Sequence, residues 1–103
     1  MTTLVGQTFV TEGLKFTVLK DRFWAKGSHG PKDPNGPRLD ALQPNDLMSV
    51  IYQGHPVPFI GVRGGVVKLE RIEVNGESID GARKISEKLG IPTKHLRKWA
   101  TEV

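Results

Sequence analysis

Cysteine is absent from the 103-residue chain. Its absence excludes disulfides, thiolate catalysis and any zinc site built on cysteine. Long apolar runs are absent as well. Nothing approaches the ~20 residues that a bilayer-spanning helix needs. The opening stretch, MTTLVGQTF, lacks the basic-then-apolar order of a secretory signal. A cytoplasmic protein with no membrane partner is the expectation. Histidine is scarce, and His29, His55 and His95 show no metal-ligand spacing. The few serines (Ser28, Ser49, Ser78, Ser86) sit in no nucleophile-elbow context. Asp21, Asp33, Asp40 and Asp46 fall at irregular intervals, with no mark of a catalytic pair. GVRGG at 61–65 lacks the lysine and hydroxyl of a phosphate-cradling P-loop. No enzyme, no metal and no cofactor is expected.

What is present is basic charge, unevenly spread. The net charge is +4. Residues 82–103 hold six basic residues against two acidic ones, so this segment equals the whole excess. Residues 1–81 balance nine against nine. A neutral body with a basic end points to a polyanion partner, or to a solvated lysine-rich terminal helix.

Period-2 patterning runs through much of the body. Leu4 to Val10 reads as a strand, and Thr11-Glu12-Gly13 as a turn. Leu14, Phe16 and Val18 then alternate with Lys15 and Thr17. DRFWAKG continues that strand or starts another. Residues 27–38, GSHGPKDPNGPR, carry three prolines and no large apolar residue, and read as a long loop. Asn45 is placed to cap a helix through Leu47, Met48, Ile51 and Tyr52, ended by Gly54. Val57–Val62 and Val66–Val74 flank Arg63-Gly64-Gly65, a hairpin signal. Val67 and Leu69 break step with Ile72 and Val74, which predicts a bulge or bend between them. Asn75-Gly76 is a further turn.

Beyond it, KISEKLGIPTKHLRKWATEV reads as two short helices. Asp80 or Ser78 is placed to cap the first, and Ala82, Ile85 and Leu89 share one face. Gly90 stops it. Thr93 is placed to cap the second, whose Leu96 and Trp99 point back at the first. Leu89, Ile91, Leu96 and Trp99 are the expected buried contacts. Two short helices about a glycine-containing turn make a helix-turn-helix.

ARKISEKLGIPTKHLRKW resembles the helix-turn-helix of MerR-type and excisionase-type DNA-binding proteins. Ala82, Ile85, Leu89, Gly90, Ile91, Leu96, Arg97 and Trp99 fall on its small, aliphatic, Leu-Gly-Ile and Leu-Arg-aromatic positions. The resemblance covers residues 82–101. The chain stops four residues after Trp99, before any wing. It implies a second helix in the major groove, led by Thr93 and Lys94, with Arg97 and Lys98 one turn later. Lys84 and Lys88 would hold phosphates.

The expected fold is thus α+β: a small antiparallel β body over 1–79 with one intervening helix, then a C-terminal helix-turn-helix over 80–103, in one compact unit. The expected function is sequence-specific binding of double-stranded DNA by a homodimer joined through the β body. Such a regulator of transcription or recombination would suit a phage or mobile element. The candidate DNA-binding residues are Lys84, Lys88, Thr93, Lys94, Arg97 and Lys98. One alternative is an inhibitor or adaptor whose basic tail docks on an acidic host protein. Another is single-stranded nucleic-acid binding by the β body, where Phe16, Phe23, Trp24, Tyr52 and Phe59 interleave with Lys15, Lys20, Arg22 and Lys26. Those aromatics serve equally as the core of a small β domain.

Overall fold

A computed structural model describes residues 3–25, 42–93 and 98–103. Among the described residues eight antiparallel strands and one helix follow one another: β1 (Thr8–Thr11), β2 (Leu14–Ala25), β3 (Asp46–Tyr52), β4 (His55–Val62), β5 (Gly65–Val74), β6 (Glu77–Asp80), α1 (Ala82–Leu89), β7 (Lys98–Trp99) and β8 (Thr101–Glu102). The expected α+β fold is therefore corrected to a nearly all-β one. The sheet runs β7-β3-β4-β5-β2-β1-β8, with β6 beside β5. β7 and β8 flank the single residue Ala100, so the two ends of the sheet meet and it curls into a nearly closed barrel.

Tight turns set much of this order. Glu12-Gly13, Gln53-Gly54 and Asn75-Gly76 all have positive φ at both residues. That is the type I′ geometry whose twist matches paired strands, and glycine supplies its second position without strain. The helix expected over 45–53 is accordingly strand β3, and Gly54 makes a hairpin rather than ending a helix. β3 buries both faces. Leu47 enters the barrel core, while Met48 and Val50 join a second cluster with Leu42, Val57, Phe59 and Val66. A strand covered on both sides gives a continuous apolar run, which period alone does not tell from a helix.

The main core gathers Phe9, Phe16, Val18, Leu47, Ile60, Val67, Leu69, Ile72 and Val74 with Ile85, Leu89 and Ile91. Phe9 and Phe16 stack with ring centres 5.7 Å apart. Burying each such side chain contributes about 1.5–3 kcal/mol. β2 and β5 stay in register from one end to the other only because two irregularities cancel. Val18 faces Ile72, Lys20 faces Arg71 and Asp21 faces Leu69. Leu19 is the extra residue in β2 and Glu70 the extra one in β5. Glu70 lies where the broken alternation predicts a bulge.

The C-terminal helix-turn-helix is overturned. α1 forms and ends at Gly90 in the left-handed region. Gly90 N–H donates to Glu87 O at 3.2 Å and Ile91 N–H to Ser86 O at 3.0 Å, the paired bonds of a Schellman stop. No side chain caps the helix start, which falls at Gly81. Asp80 instead pairs with Arg71 at 2.9 Å. Residues 98–102, expected to be helical, are strands β7 and β8. Their register places Trp99 opposite Asp46 and Thr101 opposite Val10. Leu89 and Ile91 are buried as expected, but Trp99 is 65% exposed. Leu96 lies outside the described residues.

A buried polar contact fastens α1 to the sheet. Ser49 and Ser86 hydroxyls lie 2.9 Å apart, both buried. Ser49→Ala or Ser86→Ala alone should cost about 1–3 kcal/mol by stranding one hydroxyl. The double variant should cost less than the two singles added. A double-mutant cycle by urea denaturation checks this, and strict additivity would show the hydroxyls to be uncoupled.

Candidate nucleic-acid interface

Of the six residues assigned to DNA, the four that are described do not form one surface. Lys84 and Lys88 are exposed on α1, beside a groove that also carries Glu77, Asp80 and Glu87. Arg83, on the same helix, is tied to Glu87 at 3.2 Å. Thr93 is half-buried. Lys98 turns inward: its side chain is only 10% exposed. Its Nζ donates to the Leu89 carbonyl, approaches Gly90 O at 3.4 Å and pairs with Glu12 at 3.3 Å. A cation there meets the negative end of the helix dipole, so Lys98 closes α1. Lys94 and Arg97 lie outside the described residues. Of the described cations of this segment, Arg83 and Lys98 are paired within the chain, while Lys84 and Lys88 stay exposed beside the groove.

The aromatic residues divide as well. Phe16 and Phe59 are fully buried. Phe23 is half-buried against the core. Tyr52 is exposed at the β3–β4 turn. Trp24 is half-buried, edge-on to Phe59 with centroids 5.8 Å apart. The Arg22 guanidinium lies over its ring, 4.7 Å from the centroid. Lys26 lies outside the described residues.

Around Trp24 the sheet does something unusual with charge. Lys20, Arg22 and Trp24 alternate with Asp21 and Phe23, so they share the outer face of β2. Their partners across the ladder are Arg71, Lys68 and Val66. Two successive outward rungs thus set cation against cation, Lys20 with Arg71 and Arg22 with Lys68. Like charges directly opposite are destabilising in a sheet. In each rung one cation is anchored, Arg22 by Trp24 and Arg71 by Asp80. Lys20 and Lys68 make no ion pair among the described residues. The rungs are separated by about 7 Å, two residues of strand rise. Glu70 lies between Lys68 and Arg71 on β5 and Glu73 two residues beyond Arg71, so two carboxylates on the strand partly offset the four cations.

Lys20, Arg22 and Trp24 are legible in the sequence as a basic-aromatic alternation. Lys68 and Arg71 are not, because only the strand register, with its two compensating irregularities, brings them opposite. Among the described residues no group of His, Asp and Glu gathers to hold a metal ion. No helix among them is long and apolar enough to cross a membrane. The chain matches no family model, no curated protein and no solved structure.

Proposed function

We propose that the outer face of β2 and β5 binds the backbone of single-stranded nucleic acid. The observation that carries this reading is the pair of adjacent like-charged rungs. A fold that sets Lys20 against Arg71 and Arg22 against Lys68 loses stability unless an anion lies across them. Phosphates do so, and each neutralised charge releases counterions. Arg22 held over Trp24 offers a planar cation on which an unpaired base stacks. A patch two rungs long suits a flexible strand. A duplex read through its major groove needs an element that enters the groove, and Lys98–Trp99 and Thr101–Glu102, expected in or after the second helix, pair as strands instead.

The test is fluorescence anisotropy with a labelled oligothymidine and a duplex of equal length. The combined variant Lys20→Ala, Arg22→Ala, Lys68→Ala should bind the single strand at least about tenfold more weakly at low salt. Its salt slope should fall by about two, at about 0.7 for each phosphate that is no longer neutralised. Folding should change little, because relief of repulsion offsets the packing that the shortened side chains give up. Unchanged binding by the variant would sink the reading. Tighter binding to the duplex than to the single strand would overturn the assignment to single strands.

A further inference from the structure

We infer that the free edge of β6, together with α1, forms a groove that accepts an extended acidic peptide as an added strand. Among the described residues, β6 pairs with β5 alone. A groove of about 540 Å3 is lined by Glu77, Ser78, Ile79 and Asp80 on one side and by Lys84, Glu87 and Lys88 on the other. All four successive residues of β6 line it. Side chains alternate between the faces of a strand, so a groove along one face would show only every second residue. This groove runs along the edge.

The hairpin register says which backbone groups that edge presents. The two-residue turn at Asn75-Gly76 makes Val74–Glu77 and Ile72–Ile79 the pairs that exchange hydrogen bonds. Gly81 N–H to Glu70 O, at 3.3 Å, continues the same alternation. The N–H and C=O of Ser78 and Asp80 therefore point away from β5 and into the groove. An incoming antiparallel strand meets two donors and two acceptors there, which is the basis of recognition by strand addition.

Charge selects the occupant. Asp80 is held by Arg71 and Glu87 by Arg83. Lys84 and Lys88 make no ion pair among the described residues, and of the groove's acids only Glu77 is likewise unpaired. The helical wall thus offers two cations at i and i+4, whose Cβ atoms lie about 5–6 Å apart. Alternate residues of an extended peptide put side chains on one face about 7 Å apart. Two carboxylates at alternate positions of the added strand match the two lysines. The partner is an acidic, extended segment of another protein. The site is separate from the β2–β5 rungs and its test does not depend on them.

The experiment titrates the 15N-labelled chain with a capped six-residue peptide that has glutamates at its third and fifth positions and β-branched residues elsewhere. The largest amide shifts should fall on Ser78 and Asp80. Lys84→Gln with Lys88→Gln should weaken binding at least about tenfold, and so should glutamines in place of the peptide glutamates. A peptide N-methylated at the residue facing Ser78 should not bind, a control that leaves the protein unaltered. Shifts that spare Ser78 and Asp80, or that gather on β2 and β5, overturn the proposal. Equal binding by the double lysine variant overturns the acidic specificity, and equal binding by the N-methylated peptide overturns strand addition.

Discussion

A chain ending after Arg97 is expected to lose its cooperative unfolding transition. The six residues removed do far more than their length suggests. Lys98 and Trp99 pair with Leu47 and Asp46, and Thr101 and Glu102 with Val10 and Phe9. Between them Ala100, 2% exposed, packs in the main core and donates to Asn45 O at 2.8 Å. Val103 N–H donates to Thr8 O at 2.9 Å, and the buried Thr11 hydroxyl donates to Trp99 O at 2.8 Å. Without these bonds, the edges of β1 and β3 open together, Thr11 loses its partner and α1 loses the Lys98 cap. Each net hydrogen bond contributes about 1 kcal/mol, and each stranded buried group costs about 1–3 kcal/mol. Together they rival the 5–15 kcal/mol that holds a typical domain folded. Near-ultraviolet dichroism and a urea titration read the result. A truncated chain that melts within a few degrees of the full one would show residues 98–103 to be a surface tail rather than the barrel's closure.

That same segment shows where sequence reasoning reaches its limit. KHLRKWATEV carries a leucine and a tryptophan three apart, and a helix accounts for that spacing. Nothing local says that Lys98–Glu102 will meet β3 on one side and β1 on the other, since those partners lie about 50 and 90 residues away in the sequence. Long-range pairing overrides short-range pattern. The features that were legible are those with local causes. The hairpin at Glu12-Gly13, the turn at Asn75-Gly76 and the stop at Gly90 each follow from a glycine where positive φ is required. The irregularity at Glu70 follows from a switch in which alternate residues are apolar. Its counterpart at Leu19 leaves the same trace, since Phe16 and Val18 point inward and so do Asp21 and Phe23. The candidate site was half legible for the same reason. One strand of it alternates visibly, while the other matters only through register. Charge counted along the chain does not say which way each cation turns. The basic end holds Lys98, which is turned inward onto helix carbonyls, and Lys84 and Lys88, which face acidic neighbours.

Gly61→Ala should be among the most damaging single methyls that can be added to the sheet, costing about 3 kcal/mol at the upper end of what overpacking does. Gly61 does not have positive φ, so its backbone suits any residue, and the argument rests on space alone. A Cβ there would lie 2.1 Å from the Gln43 carbonyl oxygen and 2.8 Å from its carbon. Those are backbone atoms of the segment that enters β3, and they are tied to Gly61 itself through Asn45 N–H to Gly61 O at 2.9 Å. Rotating a side chain cannot relieve the contact. Gly13→Ala is the matched comparison. Gly13 has φ of 79° with nothing within 4 Å of an added Cβ, so only the left-handed backbone resists, at about 1–2 kcal/mol. Urea midpoints should therefore rank Gly61→Ala well below Gly13→Ala. The damage should also travel. Pushing Gln43 away moves Asn45, whose carbonyl receives Ala100 N–H, and Asp46, which pairs with Trp99. Hydrogen exchange at Ala100 should quicken in Gly61→Ala and stay slow in Gly13→Ala. Equal midpoints for the two variants would mean that residues 42–45 yield freely, and that the corner holding the closing strand is softer than its packing implies.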